Sequence, residues 1–186
     1  MKNTYHVNRI SKSQELILNG KGSNDLWKQA QVMNDFCSPW DSEKIKKIEF
    51  KALHDDEKLF FCFKVFDSEL HINPSKNTME SINNSDRVEL FFRSDLNMNP
   101  YYCLEIDPTG RIMDFKARPE KKFDFNWSWP SNHIQVESMI REKFYVVEGF
   151  VTMESLFDFD LVHQNSLQVG VFRAKYKSEK SKSFRP

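Results

Sequence analysis

Glycine is scarce, with 5 in 186 residues, and none of them sits in the kind of glycine-rich run that cradles a phosphate. A serine nucleophile would need a GxSxG elbow, and the chain has none. The five histidines, His6, His54, His71, His133 and His163, show no HxxxH, HxH or Cys/His spacing for zinc. Three cysteines, Cys37, Cys62 and Cys103, make an odd count without the spacing of a disulfide framework. Cys62 and Cys103 fall inside apolar runs, where a small buried thiol is expected. No stretch is long and apolar enough to span a bilayer. An excess of either charge is missing too: 27 basic residues balance 27 acidic ones, so the long-range attraction that draws a protein to nucleic acid or an anionic membrane is not indicated. The opening MKNTYHVNRISKSQELIL offers neither an uninterrupted apolar segment nor a small-residue cleavage site. No secretory signal is read, and the cytoplasm is the default compartment.

Aromatic residues, by contrast, are plentiful. The 17 Phe and 4 Trp can bury a sizeable core, and the length suits a single domain, taken here as 1–176 with a basic polar tail over 177–186. Short period-two or wholly apolar runs between polar turns predict strands near Glu15 to Leu18, Ile45 to Leu53, Lys58 to Phe66, Arg87 to Arg93, Tyr101 to Asp107, Arg111 to Ala117, Ile134 to Met139, Phe144 to Thr152 and Leu167 to Lys175. KLFFCFKVF is apolar on both faces, as a central strand covered on both sides would be. In RVELFFR, Val88, Leu90 and Phe92 share one face while Glu89, Phe91 and Arg93 share the other, a mixed face free to carry a ligand. Helical snippets are expected only in NDLWKQA and MESLFDFDL, capped by Asn24 and Thr152. HINPSKNTMESINNSD reads as a loop. The pattern predicts an all-β antiparallel sandwich.

The stretch YYCLEIDPTGRIMDFKARPEKKFDFNWSWP carries the most chemistry. Pro108-Thr109-Gly110 supplies the fixed φ and the glycine freedom of a turn between two strands, and FDFNWSWP sets Trp127 and Trp129 one residue apart. Flat aromatic faces beside carboxylates and guanidinium groups suit a sugar ring better than a phosphate or a lipid. The competing reading is that both tryptophans close one end of the core.

ILNGKGSNDLWKQAQ resembles the opening of family 9 carbohydrate-binding modules and their bacterial relatives. KALHDDEKLFFCFKVFDSE, SDRVELFFR, YYCLEIDPTGRIMDFKA, KFYVVEGFVTMESL and VGVFRAKY are similar, in order, to that family's later segments. The resemblance implies a jelly-roll-like β-sandwich and noncatalytic saccharide binding tied to polysaccharide breakdown or uptake, in a family that is often exported. Glu89 matches a sugar-contacting glutamate. Glu105 and Asp107 stand where sugar-binding members place arginine and asparagine, and Arg93 and Arg173 are the arginines at hand to bind hydroxyls. One family tryptophan has no counterpart among Met79, Ile82 and Asn83, and the second would follow Tyr176, where only KSEKSKSFRP remains. The resemblance therefore implies a divergent or truncated end, an exposed sheet edge and weak self-association, with Trp127 and Trp129 as substitute platform.

Other chemistries are weaker on these residues. Asp55, Asp56, Asp67, Glu105, Asp107 and Asp114 offer oxygen ligands for a structural calcium, without a compact acidic loop. Glu89 and Glu105 on neighbouring strands mimic the carboxylate pair of a glycosidase, but no second signature supports turnover. Related sandwiches hold haem through methionine and histidine, for which Met98, Met113, His133 and His163 are the candidates. A sandwich that has lost its ligand and serves as an interaction domain is the third alternative.

Overall fold

The computed structural model describes residues 4–11, 13–38, 45–75 and 78–177; most of the predicted tail and the chain end after Tyr176 lie outside the described residues. Two sheets stack face to face. One has five strands in the order β1 (Asn8–Arg9), β2 (Ile48–His54), β3 (Lys58–Val65), β9 (Tyr145–Thr152) and β8 (Ile134–Ile140). The other has six, in the order β10 (Val162–His163), β11 (Ser166–Ala174), β4 (Arg87–Arg93), β5 (Tyr101–Ile106), β6 (Ile112–Arg118) and β7 (Lys122–Asp124). Every pairing is antiparallel except the short β1–β2 contact, which is parallel.

Alternation explains how the layers meet. Phe50, Phe61, Phe63 and Val65 of the first sheet pack against Val88, Leu90, Phe92, Leu104 and Ile106 of the second. The other face of β3 sends Phe60 and Cys62 into a second cluster with Ile10, Leu16 and Trp27, so β3 is covered on both sides as its doubly apolar sequence predicts. Asn24 caps the 3-10 turn Asp25–Gln29 by accepting from the Leu26 N–H, and Thr152 caps α2 (Met153–Asp158) by accepting from the Ser155 N–H. The buried Glu148 carboxylate binds the amino-terminal strap to the sheet, accepting from Asn19 N and Trp27 Nε1 at 2.9 Å each.

Two predicted segments differ. Glu15 to Leu18 is not a strand: Leu16 is buried and Leu18 half-buried, so the alternation is real, but the segment is a strap over the second cluster without a ladder partner. The predicted loop His71 to Asp86 contains a helix, α1 (Thr78–Asn83), because Ile82, fully buried, anchors it on the outer side of the six-stranded sheet against Cys103, Met113 and Phe115.

The carboxyl-terminal strand β11 is held at its end by buried charge. Asp67 lies 2.6 Å from Lys46 Nζ and 2.6 Å from Arg173 Nη2, while Asp86 accepts from Lys175 Nζ at 2.9 Å and from the Tyr176 N–H at 2.8 Å. Burial opposes ionisation of Asp67, but the hydrogen bonds from Lys46, the Glu69 N–H and Lys175 outweigh it and hold the carboxyl at about 2. Among the described residues, the far edge of β11 is paired only by β10, at Ser166 and Leu167.

Candidate functional site

The outer face of the six-stranded sheet gathers what the inner face excludes. Register places Phe172, Glu89, Glu105 and Met113 in one row, Gly170, Phe91, Cys103 and Phe115 in the next, and Gln168, Arg93, Tyr101, Ala117 and Phe123 in a third. Phe172 is 48% exposed, and a Cβ built on Gly170 would stand 2.4 Å from Phe172 Cε2. The phenyl ring therefore lies along the strand over Gly170, and only the missing side chain there lets it do so. Phe91 packs beside it at 5.4 Å between ring centroids and Tyr101 beside Phe91 at 6.4 Å. Phe123 and Phe125, both exposed, continue the band with Phe115 at the β7 edge. Between these two exposed ends, Cys103, Met113, Phe115 and Ala117 are buried, with Ile82 of α1 packed among them.

Beside Phe172 lies a largely buried ion cluster of one cation and two carboxyls. Arg87 Nε lies 2.9 Å from Glu89 Oε1 and 2.6 Å from Glu105 Oε2, and its Nη1 donates to the Asn83 carbonyl of α1 at 3.0 Å. One guanidinium thus faces two carboxylates. The ion-pair distances are short, yet Arg87 Nε and Glu105 Oε2 are both buried without a partner in hydrogen-bonding geometry. Burial, then the Glu105 charge, push Glu89 up to about 7 against the pull of Arg87; burial likewise raises Glu105, with Arg87 opposing it.

That shift carries a sign for stability. A carboxyl whose folded value is raised from 4.5 to about 7 binds its proton more tightly in the folded state, so its contribution is complete below about 4.5 and is lost as pH rises through about 7. Thermal unfolding followed by circular dichroism should therefore show a fall in Tm between about pH 5 and pH 8. Glu89→Gln should flatten that slope by relieving the repulsion with Glu105. An unchanged slope in the variant would mean that Glu89 stays ionised throughout.

The seven residues singled out in the sequence do not form one site. Glu89, Glu105 and Arg93 share the outer face, Arg93 donating to Gln168 Oε1 at 2.9 Å. Asp107 ends β5 in that phase but is consumed by its own turn, accepting from Thr109 N and Oγ1, Arg111 N and the Arg111 guanidinium, while Gly110 takes φ +85°. Arg173 alternates inward with Val88 and pairs with Asp67, away from Glu89 and Glu105. Trp129 is 3% exposed, with Nε1 donating to Ser155 Oγ at 3.0 Å. Trp127 is half-buried against Tyr102 and Phe159. These two tryptophans seal one end of the core, and Trp129 presents no face on which a ring can stack. Of the outward rings on β11, β4 and β5, Phe172 is exposed and Phe91 and Tyr101 are half-buried. The outward phase of Phe91 is legible in RVELFFR, but Phe172 is found only through the register with β4.

A cavity of about 550 Å³ opens instead between the sheets, and its walls include Phe50, Phe61, Leu90, Phe92, Val169 and Val171. Its apolar walls are inward core side chains, and Tyr5, Gln31, Asn34 and Asp35 line it as well. For haem, no shared centre exists among the proposed ligands: Met113 packs in the outer cluster, His133 Nδ1 contacts Thr152 Oγ1, His163 lies on β10 and Met98 is exposed. Among the described residues, no three His, Cys, Asp or Glu side chains are grouped to hold a metal ion.

A family model described as carbohydrate family 9 binding domain-like matches residues 18–184. A candidate carbohydrate-binding protein from Bacteroides uniformis has a similar structure, with a TM-score of 0.62 at 10% identity over 91% of this chain and 82% of that one. A family 9 carbohydrate-binding module from Caldicellulosiruptor kristjanssonii, solved with cellotriose, gives a TM-score of 0.54 at 14% identity over 80% of this chain and 66% of that one. At such identities the likeness concerns the fold. No curated protein sequence matches the chain.

Proposed function

The chain belongs to the carbohydrate family 9 binding-domain-like family, a family of noncatalytic modules, and from that premise we propose that the outer face of its six-stranded sheet binds a saccharide. The observation that carries the reading is the ring of Phe172 laid over Gly170 beside the Glu89–Arg87–Glu105 cluster. The apolar C–H face of a pyranose stacks on the phenyl ring, and its hydroxyls donate to carboxylate oxygens that Arg87 leaves in excess. Cellotriose bound to the Caldicellulosiruptor module is in keeping with an oligosaccharide ligand. Such a module serves the breakdown or uptake of polysaccharide by holding the polymer, not by cutting it.

Isothermal titration calorimetry with a panel of mono- and oligosaccharides tests the proposal. Binding should strengthen from monosaccharide to trisaccharide, and no new reducing ends should appear on long incubation. A flat titration with every sugar would leave an interaction domain in its place, and release of reducing ends would make the carboxylate pair catalytic.

A further inference from the structure

The cavity between the sheets is left unused by a sugar on the outer face. At about 550 Å³ it falls within the ~300–1,000 Å³ typical of small-molecule sites, whereas well-packed interiors hold few voids larger than a water. Short side chains leave the space: Ala52 of β2 and Val169 and Val171 of β11 line it from opposite sheets. In register, Val169 lies beside Phe92 and Val171 beside Leu90, which are 1% and 3% exposed, yet both valines are only half-buried. The inward face of β11 therefore keeps apolar surface that the opposite sheet does not cover. The roof is fixed to β2. Met33 and Phe50 exchange both backbone hydrogen bonds at 2.9 Å, and the Tyr5 hydroxyl accepts from the Ala52 N–H at 2.9 Å while its ring packs edge-on against Phe50. At the mouth stand Gln31, Asn34 and Asp35, all exposed. Asp35 is the one charged side chain among the described residues that line the cavity, and no Lys, Arg or His joins it there.

We infer that this cavity is a second binding site, for an apolar small molecule whose single polar end is a neutral or cationic hydrogen-bond donor, an alcohol or an amine. The hydrocarbon part covers the open flanks of Val169 and Val171 and supplies the burial that the opposite sheet does not. Its polar end stays at the mouth, where the amide oxygens of Gln31 and Asn34 and the Asp35 carboxylate accept hydrogen bonds. A carboxylate placed there meets a like charge and no cation, so fatty acids are selected against. Saccharides are selected against as well, because their ring hydroxyls would be stripped of water against apolar walls. The site is independent of the outer face, since Phe172 and Val169 point to opposite sides of β11.

Phenylnaphthylamine, an uncharged aromatic amine that fluoresces when taken out of water, is titrated into the wild-type protein, Val169→Phe, Asp35→Lys and, as control for uptake on exposed rings, Phe172→Ala. Octylamine, octanol and octanoate share a chain and differ in head group; the first is protonated at neutral pH and the last ionised. They are added as competitors at low ionic strength, where exposed charges are screened least. The wild type should take up one dye per chain. Val169→Phe, which fills the cavity, should abolish uptake without lowering Tm, and Phe172→Ala should retain it. Octylamine and octanol should displace the dye about threefold or more effectively than octanoate, and Asp35→Lys should reverse the order of octylamine and octanoate. Absence of saturable uptake by the wild type, uptake that persists in a folded Val169→Phe, or loss of uptake in Phe172→Ala would each overturn the assignment to the cavity. Should Val169→Phe not fold, Asp35→Lys decides, and an unchanged order of competitors in that variant overturns the site. Octanoate displacing the dye from the wild type as well as octanol does would overturn the choice of head group.

Discussion

Trp129→Ala should remove about 3–5 kcal/mol of folding stability, the range typical of truncating a large buried aromatic. The ring lies in the main core, 5.6 Å from Phe92 and 5.2 Å from Phe159 between centroids, and its Nε1 donates to Ser155 Oγ. Truncation leaves a cavity against these rings and takes one donor from the Ser155 hydroxyl, which keeps its bonds to the Thr152 carbonyl at 2.9 Å and to Thr152 Oγ1 at 3.2 Å. Domains of this kind have only about 5–15 kcal/mol in hand, so the variant should unfold at markedly lower denaturant. Equilibrium urea unfolding measures the loss, and sugar titration of the remaining folded protein should give near wild-type affinity. A well-folded variant that no longer bound sugar would put Trp129 back on a binding surface.

Phe172→Ala should do the reverse. With 48% of its surface exposed and Gly170 beneath it, the ring contributes little to the core, and its loss should change stability by less than about 1 kcal/mol. Saccharide affinity, however, should fall about tenfold or more, equivalent to about 1.4 kcal/mol. Gly170→Ala offers a second route to the same end, since its methyl group would displace the ring by occupying the place of Phe172 Cε2. Calorimetric titration and thermal unfolding of both variants separate binding from folding. Unaltered affinity in both would take Phe172 out of the site.

Strands were legible where side chains alternate and pair. Arg87–Arg93 is a strand over the predicted residues, and the other long strands agree to within a few residues. Glu15 to Leu18 shows the limit of that signal: alternation reports which side chains are buried and is silent about whether the backbone finds a partner. The short strands β7 and β10 were missed because their turns use Glu120, Lys121, Gln164 and Asn165 at positive φ, where the usual Asn-Gly or Asp-Gly signal is absent. For the site, Glu89, Glu105 and Arg93 could be placed on one face from local phase alone. Trp127 and Trp129 misled because exposure is a tertiary property, and indole size favours a core end as readily as a platform. The pairing of Phe172 with Glu89, and the lone guanidinium between two carboxylates, depend on the β4–β11 and β4–β5 registers, which no single segment encodes.

The central claim is that saccharide binds on the outer face of the six-stranded sheet, and residue-resolved NMR during a titration with trisaccharide tests it most directly. The account predicts that the largest amide and side-chain shifts gather at Glu89, Phe91, Glu105, Gly170 and Phe172, while Trp127, Trp129 and the residues facing the space between the sheets stay still. Shifts centred instead on Trp127 and Phe159, or on Phe50 and Val169 between the sheets, would contradict it.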